Sequence, residues 1–241
     1  MLAEDWVTGE IELSVDGVPL KLKLSVPSKP VKPQVLLPMF QEMANTFTAI
    51  GEGIVEKKGK VISCQKGCGA CCRQPVPLAE IETYYIASLV AGMPEPKQSQ
   101  VRERFAKANA HFEEIGWFEK LDNCKGEKEL KQAALAYFRE GIPCPFLEDE
   151  SCSIHLKRPV ICREYLVTSP AINCSDPIEE RIEMVPLPIN ASDGVRKLGR
   201  TQALGKRDFL PMVRALEWAA EHPNKAKPKT GEEWLGVFFG G

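Results

Sequence analysis

The sequence predicts an α+β protein, mainly α-helical, with an N-terminal β-hairpin and a loop-rich cysteine core. Three observations carry that expectation. Residues 9–26 alternate apolar and polar about Asp16-Gly17, and apolar residues between 39 and 140 recur at spacings of three and four. The cysteines gather in two segments, 64–72 and 144–162, broken by glycine and proline. With 241 residues, 44% of them hydrophobic, the chain is long enough to bury an ordinary core.

In the hairpin, Ile11, Leu13 and Val15 precede Asp16-Gly17, and Val18, Leu20, Leu22, Leu24 and Val26 follow it. The turn pair suits the positive φ that a tight hairpin needs. Pro27, Pro30, Pro33 and Pro38 then remove backbone donors and favour extended neighbours, so 25–38 is expected to be a linker. Phe40, Met43, Phe47, Ile50 and Ile54 predict an amphipathic helix over 39–57, its last turns weakened by Gly51 and Gly53. A second helix is expected over 79–90 (Ile81, Tyr84, Tyr85, Ile86, Leu89), stopped by Gly92 and Pro94, with two more over 99–115 and 128–140. Alternation over 181–187 predicts a strand, and 209–220 a helix ended by Pro223. Trp234, Leu235, Val237 and Phe238 form a terminal apolar patch that must pack. The expected division is a hairpin over 1–30, a helical cysteine domain over 31–174, and a strand with helices over 175–241.

Lys plus Arg total 31 against 33 for Asp plus Glu, a formal charge of -2, so neither nucleic acid nor an anionic membrane is an expected partner. The longest apolar stretches, such as 86–93, fall far short of the roughly 20 residues needed to cross a bilayer. The first five residues carry Glu4 and Asp5 where a secretory leader would be basic, and a cytoplasmic location is expected. In a reducing compartment nine cysteines read as metal or redox chemistry rather than as disulfides, and the odd count agrees.

The first segment, Cys64-Gln65-Lys66-Gly67-Cys68-Gly69-Ala70-Cys71-Cys72, places four thiols within nine residues, with glycines that allow turns aiming sulfur at one centre. The second contains Cys144-Pro145-Phe146-Leu147, Cys152-Ser153-Ile154-His155 and Arg158-Pro159-Val160-Ile161-Cys162-Arg163. Neither segment is regular enough to stand alone, so a shared metal is the simplest reason for both. This makes seven thiols, more than the four that one tetrahedral zinc or one cubane cluster uses. In an extended backbone Cys71 and Cys72 would face opposite ways, leaving one as a core residue or a ligand to a second site. Cys124 and Cys174 fall outside the pattern as open candidates, and His155 is expected to be packed or hydrogen-bonded. Arg158 and Arg163 either offset thiolate charge or pair with Glu148, Asp149 or Glu164.

Three cysteines ending in a doublet, then CPFL, C-x-I and RPxxCR, resemble the YkgJ-type cysteine-cluster proteins, a zinc- or iron-chelating family. The resemblance covers roughly the middle hundred residues. Bacterial flagellin lysine methylases carry a similar module, for which an iron–sulfur cluster is implied. Cys64, Cys68 and Cys71 also match the C-x3-C-x2-C spacing of radical S-adenosylmethionine enzymes, but no repeated strand and helix units follow.

The expected ligands are therefore Cys64, Cys68, Cys71, Cys72, Cys144, Cys152 and Cys162. They are expected to hold an iron–sulfur cluster, [4Fe–4S], with zinc as the alternative, because every candidate donor is a thiolate and Cys-Pro recurs at cluster-binding cysteines. Three roles stay open: a redox, sensing or accessory module, a structural zinc protein, and a cluster-dependent enzyme resembling a protein lysine methylase. A protein partner or protein substrate fits the first and last.

Overall fold

The computed structural model describes residues 5–15, 18–177 and 181–240, and the chain is mainly helical with small two-stranded sheets. Strands β1 (Trp6–Val15) and β2 (Val18–Pro27) pair antiparallel from Trp6↔Pro27 to Val15↔Val18. The expected turn pair, Asp16-Gly17, lies outside the described residues. Ile11 sits opposite Leu22, and Leu13 opposite Leu20. Leu22 and Val26 are buried, so one face of the hairpin belongs to the core.

Residues 25–38 are not a free linker. Val31 exchanges both backbone hydrogen bonds with Lys229, at 2.8 and 3.1 Å. Pro33–Leu36 forms a 3-10 turn that runs into helix α1 (Leu37–Lys57). The prolines fit because each falls where a lost donor costs little: Pro27 ends a strand, and Pro33 and Pro38 occupy first helical turns. Helix α1 buries Leu37, Phe40, Met43, Ala44, Phe47, Gly51 and Val55, so the expected face holds at Phe40, Met43 and Phe47, while Ile50 and Ile54 are only half-buried.

Beyond the first cysteine segment, β3 (Pro77–Leu78) leads into α2 (Glu80–Ala91), α3 (Lys97–Glu114), α4 (Trp117–Asn123) and α5 (Glu127–Arg139). Helices α2, α3 and α5 lie within about two residues of their expected bounds. The seven-residue α4 was too short to show a period, although Trp117, Phe118 and Leu121 are all buried. The second cysteine segment supplies a hairpin of β4 (Leu147–Glu148) and β5 (Ser151–Cys152), then α6 (Val160–Glu164).

Two expectations in the C-terminal part fail. Around 181–187 the described residues form only one isolated bridge, Val167↔Met184, because Pro186 and Pro188 remove ladder donors. After α7 (Ala191–Lys197), where no element was expected, β6 (Leu210–Pro211) pairs with β3 and a 3-10 turn follows at Met212–Arg214. The helix expected from 209 therefore begins only at Ala215, as α8 (Ala215–Glu221). The terminal apolar patch becomes α9 (Gly231–Phe239), opened by a Thr230–Glu233 capping box.

Three apolar clusters hold these elements. Helices α1, α7 and α9 share the first, where Phe40 and Phe238 stack with centroids 4.4 Å apart. The third closes α3, α4 and α5 around Phe112, which stacks on Tyr137, while Trp117 Nε1 donates to Ala133 O at 2.8 Å. The second cluster packs Leu78, Ile86, Val101, Phe105, Phe146 and Met212, and Cys144, Cys152 and Cys162 lie along its rim. The cysteines of the second segment thus pack against the edge of an apolar core.

The two glycines of α1 differ. A Cβ on Gly51 would lie 2.6 Å from Pro186 O, so this glycine admits the 185–187 loop, whereas one on Gly53 meets nothing within 4 Å. Gly53→Ala should raise stability by about 0.5–1 kcal/mol through helix propensity, and Gly51→Ala should lower it by about 1–3 kcal/mol through overpacking. Denaturant midpoints of the two variants check this.

Candidate metal centre

Short backbone contacts bring the two cysteine segments together. The Cys144 amide donates to Cys72 O at 2.7 Å, and the Ser63 amide donates to Val167 O at 2.9 Å. Cys152 sits opposite Leu147 in the β4–β5 hairpin. Cys162 lies in the first turn of α6, whose end is anchored from below. Buried Glu82 accepts from Val160 N at 2.8 Å and from Ala79 N at 3.0 Å, tying the start of α6 to the start of α2. Burial raises the Glu82 carboxyl above its ordinary range. This anchor escaped sequence reasoning, and its only signal was a pair of acids, Glu80 and Glu82, opening an apolar helix.

The sulfurs fall into two neighbourhoods. Cys71, Cys144, Cys152 and Cys162 each lie within reach of the charge of the other three. Cys64, Cys68 and Cys174 form a second mutual set, which Cys71 also adjoins. Burial is the main force on most of these thiols: it pushes Cys144 up to about 12 and Cys174 up to about 11, and it raises Cys64, Cys152 and Cys162. Cys71 is raised first by the hydrogen bond with Cys72 and then by burial. At neutral pH these six thiols keep their protons, and a cation must displace them.

Backbone amides already favour the charged form. Val167 N points at Cys64 Sγ at 3.4 Å, Phe146 N at the Cys144 sulfur, and Ile154 N at the Cys152 sulfur, and each lowers the cost of the thiolate. Arg158 adds positive charge near Cys64, Cys71 and Cys152. Among the described residues, Arg158 and Arg163 do not pair with Glu148, Asp149 or Glu164. Arg158 Nη1 bonds His155 Nε2 at 2.8 Å, and buried Arg163 donates to Leu156 O, Arg158 O and Asn45 Oδ1. Arg163 therefore braces the loop, Arg158 supplies charge, and His155 is an exposed hydrogen-bonding partner.

Other outcomes correct or complete the sequence reading. Residues 70–73 form a 3-10 turn, not an extended strand, so Cys71 and Cys72 do not face opposite ways and their side chains hydrogen-bond to each other. Cys124 stands apart, its thiol bonded to Lys120 O at 3.2 Å. Cys174, left open by the sequence pattern, is buried in a 3-10 turn (Ala171–Ser175) that packs on the 70–73 turn. Its only sequence signal was being the next cysteine after the RPxxCR segment.

Arg73 joins the segments a third time, gripping Glu150 with a fork of 2.7 and 3.0 Å and donating to Gly69 O at 2.9 Å. The fork holds Glu150, which with Asp149 adopts positive φ at the hairpin turn.

Among the described residues no group of three or more His, Cys, Asp or Glu side chains is already arranged as a metal-holding set. The donor chemistry nevertheless fits a soft or borderline metal: both neighbourhoods are all sulfur, with amide donors aimed at three of the sulfurs. Such a fold and site define a cysteine-rich metal-binding protein.

The chain matches, over residues 63–183, the model of the CxxCxxCC family, described as "Putative zinc- or iron-chelating domain". That is half of the chain, and the chain belongs to this family. No curated protein and no solved structure matches it.

A Cβ on Gly69 would lie 2.4 Å from Glu150 Oε2 and 2.9 Å from Leu147 Cδ1. Gly69→Ala should force the first segment off the β4–β5 hairpin, cost about 1–3 kcal/mol of stability, and weaken metal retention under a chelator. Competition with a chromophoric chelator reads the second effect. Unchanged retention would mean that this contact does not organise the site.

Proposed function

We propose that the protein holds an iron–sulfur centre, [4Fe–4S], on Cys71, Cys144, Cys152 and Cys162, and serves a redox, sensing or accessory role. The observation that carries this reading is the mutual neighbourhood of those four thiols, drawn from a 3-10 turn, a loop, a strand and a helix. Four sulfur donors, no nitrogen or oxygen donor, and amide hydrogen bonds to sulfur are what cubane clusters use and what tunes them. When bound, the cluster supplies one-electron chemistry. The chain's own residues position its ligands: Glu82 sets Cys162, the β4–β5 hairpin sets Cys152, and the Cys72 carbonyl sets Cys144.

Structural zinc is the second reading, and the same quartet favours it, because four thiolates close a tetrahedral site. A role beyond structure gains support from a cavity of about 750 Å³ that opens beside Cys144 and is lined by Lys97, Arg104, Lys107 and Glu148. This volume falls within the range of small-molecule sites. Lys97 and Arg104 both grip Glu148, at 3.2 and 2.9 Å. An enzyme acting on a protein or small molecule would use such an opening, as would a redox partner. No helix among the described residues is long and apolar enough to cross a membrane.

Protein purified without oxygen should be brown and contain iron with acid-labile sulfide, and Cys152→Ser should lose both while Cys124→Ser keeps them. Colourless protein with stoichiometric zinc would reject the cluster and establish the zinc reading.

A further inference from the structure

One face of α3 carries Lys97, Gln100, Arg104 and Lys107 at spacings of three, four and three, a row of side-chain donors with no acid among them. The neighbouring face buries Val101, Phe105, Ala108 and Phe112, so the row stands at the edge of the core. It forms one wall of the cavity of about 750 Å³ beside Cys144. The other wall is the 142–149 segment, where Ile142, Pro143, Pro145 and Leu147 contribute apolar lining, and the two prolines have no amide hydrogen to offer an occupant. The walls are fixed to each other. Phe146 packs edge-on against Phe105 of α3 with centroids 5.4 Å apart, and Arg104 Nη1 donates to Pro145 O at 3.3 Å. The cavity is therefore preorganised, with charge on one side and apolar surface on the other.

We propose that this cavity binds a small organic carboxylate with an apolar body, its acid group seated on Lys107 and Arg104 and its body against Ile142, Pro143 and Leu147. The fold itself shows that the row accepts a carboxylate, since Glu148 takes Lys97 at 3.2 Å and Arg104 at 2.9 Å. Lys97, Arg104 and Lys107 line the cavity against two carboxylates, Glu148 and Asp149, a surplus of one positive charge that suits a monoanion. That surplus sits at Lys107, one turn beyond Arg104. Lys107 pairs at 2.7 Å with Glu103, which lies outside the lining, and both side chains are largely exposed, so the pair is weak enough for a ligand to displace. Arg104 meets Glu148 and Pro145 through Nη1, so the Nη2 edge of its fork can meet the ligand. This deepens the reading above by naming what the opening beside Cys144 takes, and it rests on that reading only for the occupant's lying next to a metal.

Calorimetric titration of the anaerobically purified protein with hydrocinnamate, with its uncharged amide and with acetate tests the site. Hydrocinnamate should bind about tenfold more tightly than either, because the amide lacks the charge and acetate lacks the body. Lys107→Gln should weaken hydrocinnamate about fivefold, and Glu103→Gln, which frees Lys107, should strengthen it about twofold. Both residues are exposed, so both variants keep the fold and the metal content of wild type. Backbone hydrogen exchange should slow over residues 97–108 and 142–149 when hydrocinnamate is bound. Equal binding of acid and amide, or of acid and acetate, would overturn the proposal, as would unchanged affinity in Lys107→Gln, protection confined to other segments, or no saturable binding by about 10 mM. A short peptide ending in phenylalanine that binds more tightly than hydrocinnamate would overturn the small ligand in favour of a protein C-terminus. A failure of the metal reading looks different: wild type would then contain neither iron nor zinc, and the preference for acid over amide would still decide this site.

Discussion

The structure depends on one constraint: thiols from widely separated parts of the chain sit half-buried near one another, where burial and mutual repulsion disfavour the thiolate unless a cation balances it. Burial first, and then crowding among the sulfurs, raises Cys144 and Cys174 to about 12 and 11. Without a metal the cluster is a set of neutral, weakly bonded side chains at the junction of several loops. With one, the same burial becomes an advantage, because a low-dielectric surrounding strengthens the attraction between cation and thiolate. The amides of Phe146, Ile154 and Val167 and the charge of Arg158 lower the cost further.

The rest of the fold brings these loops to one place. The cluster of Leu78, Ile86, Phe105 and Phe146 fixes the second cysteine segment from beneath. Glu82 links α2 to α6, Arg163 braces the turn between His155 and Cys162, and Arg73 ties the first segment to Glu150. Each link uses a buried or charge-assisted hydrogen bond, the kind with the largest penalty when broken. Of the outer pieces, α9 packs on α7 and on β2, and its Phe238 stacks on Phe40 of α1.

The long helices were legible because α1, α2, α3 and α5 are long enough for apolar spacing to declare itself, and the ligand segments were legible because cysteine with glycine at such spacing has few other uses. What was not legible follows from range and geometry. The strand pair Pro77–Leu78 with Leu210–Pro211 joins residues more than a hundred apart and has no local signature, so 209 looked like the start of a helix. The prolines of 25–38 mark lost donors but not whether the chain is held, and Val31 is held by Lys229. The 3-10 turn at 70–73 reversed the assumed facing of Cys71 and Cys72. Cys174 lies beside the first segment only because the 171–175 turn packs on the 70–73 turn, a contact that no motif within the segment encodes.

On the function proposed above, a metal, and not apolar packing alone, holds the two cysteine segments to each other. Backbone hydrogen exchange, measured with the metal bound and after its removal by a chelator, tests this most directly. Protection should fall sharply across residues 64–72 and 144–162 on metal removal while α1 and α3 keep theirs. Equal protection in both states across those two segments would contradict it.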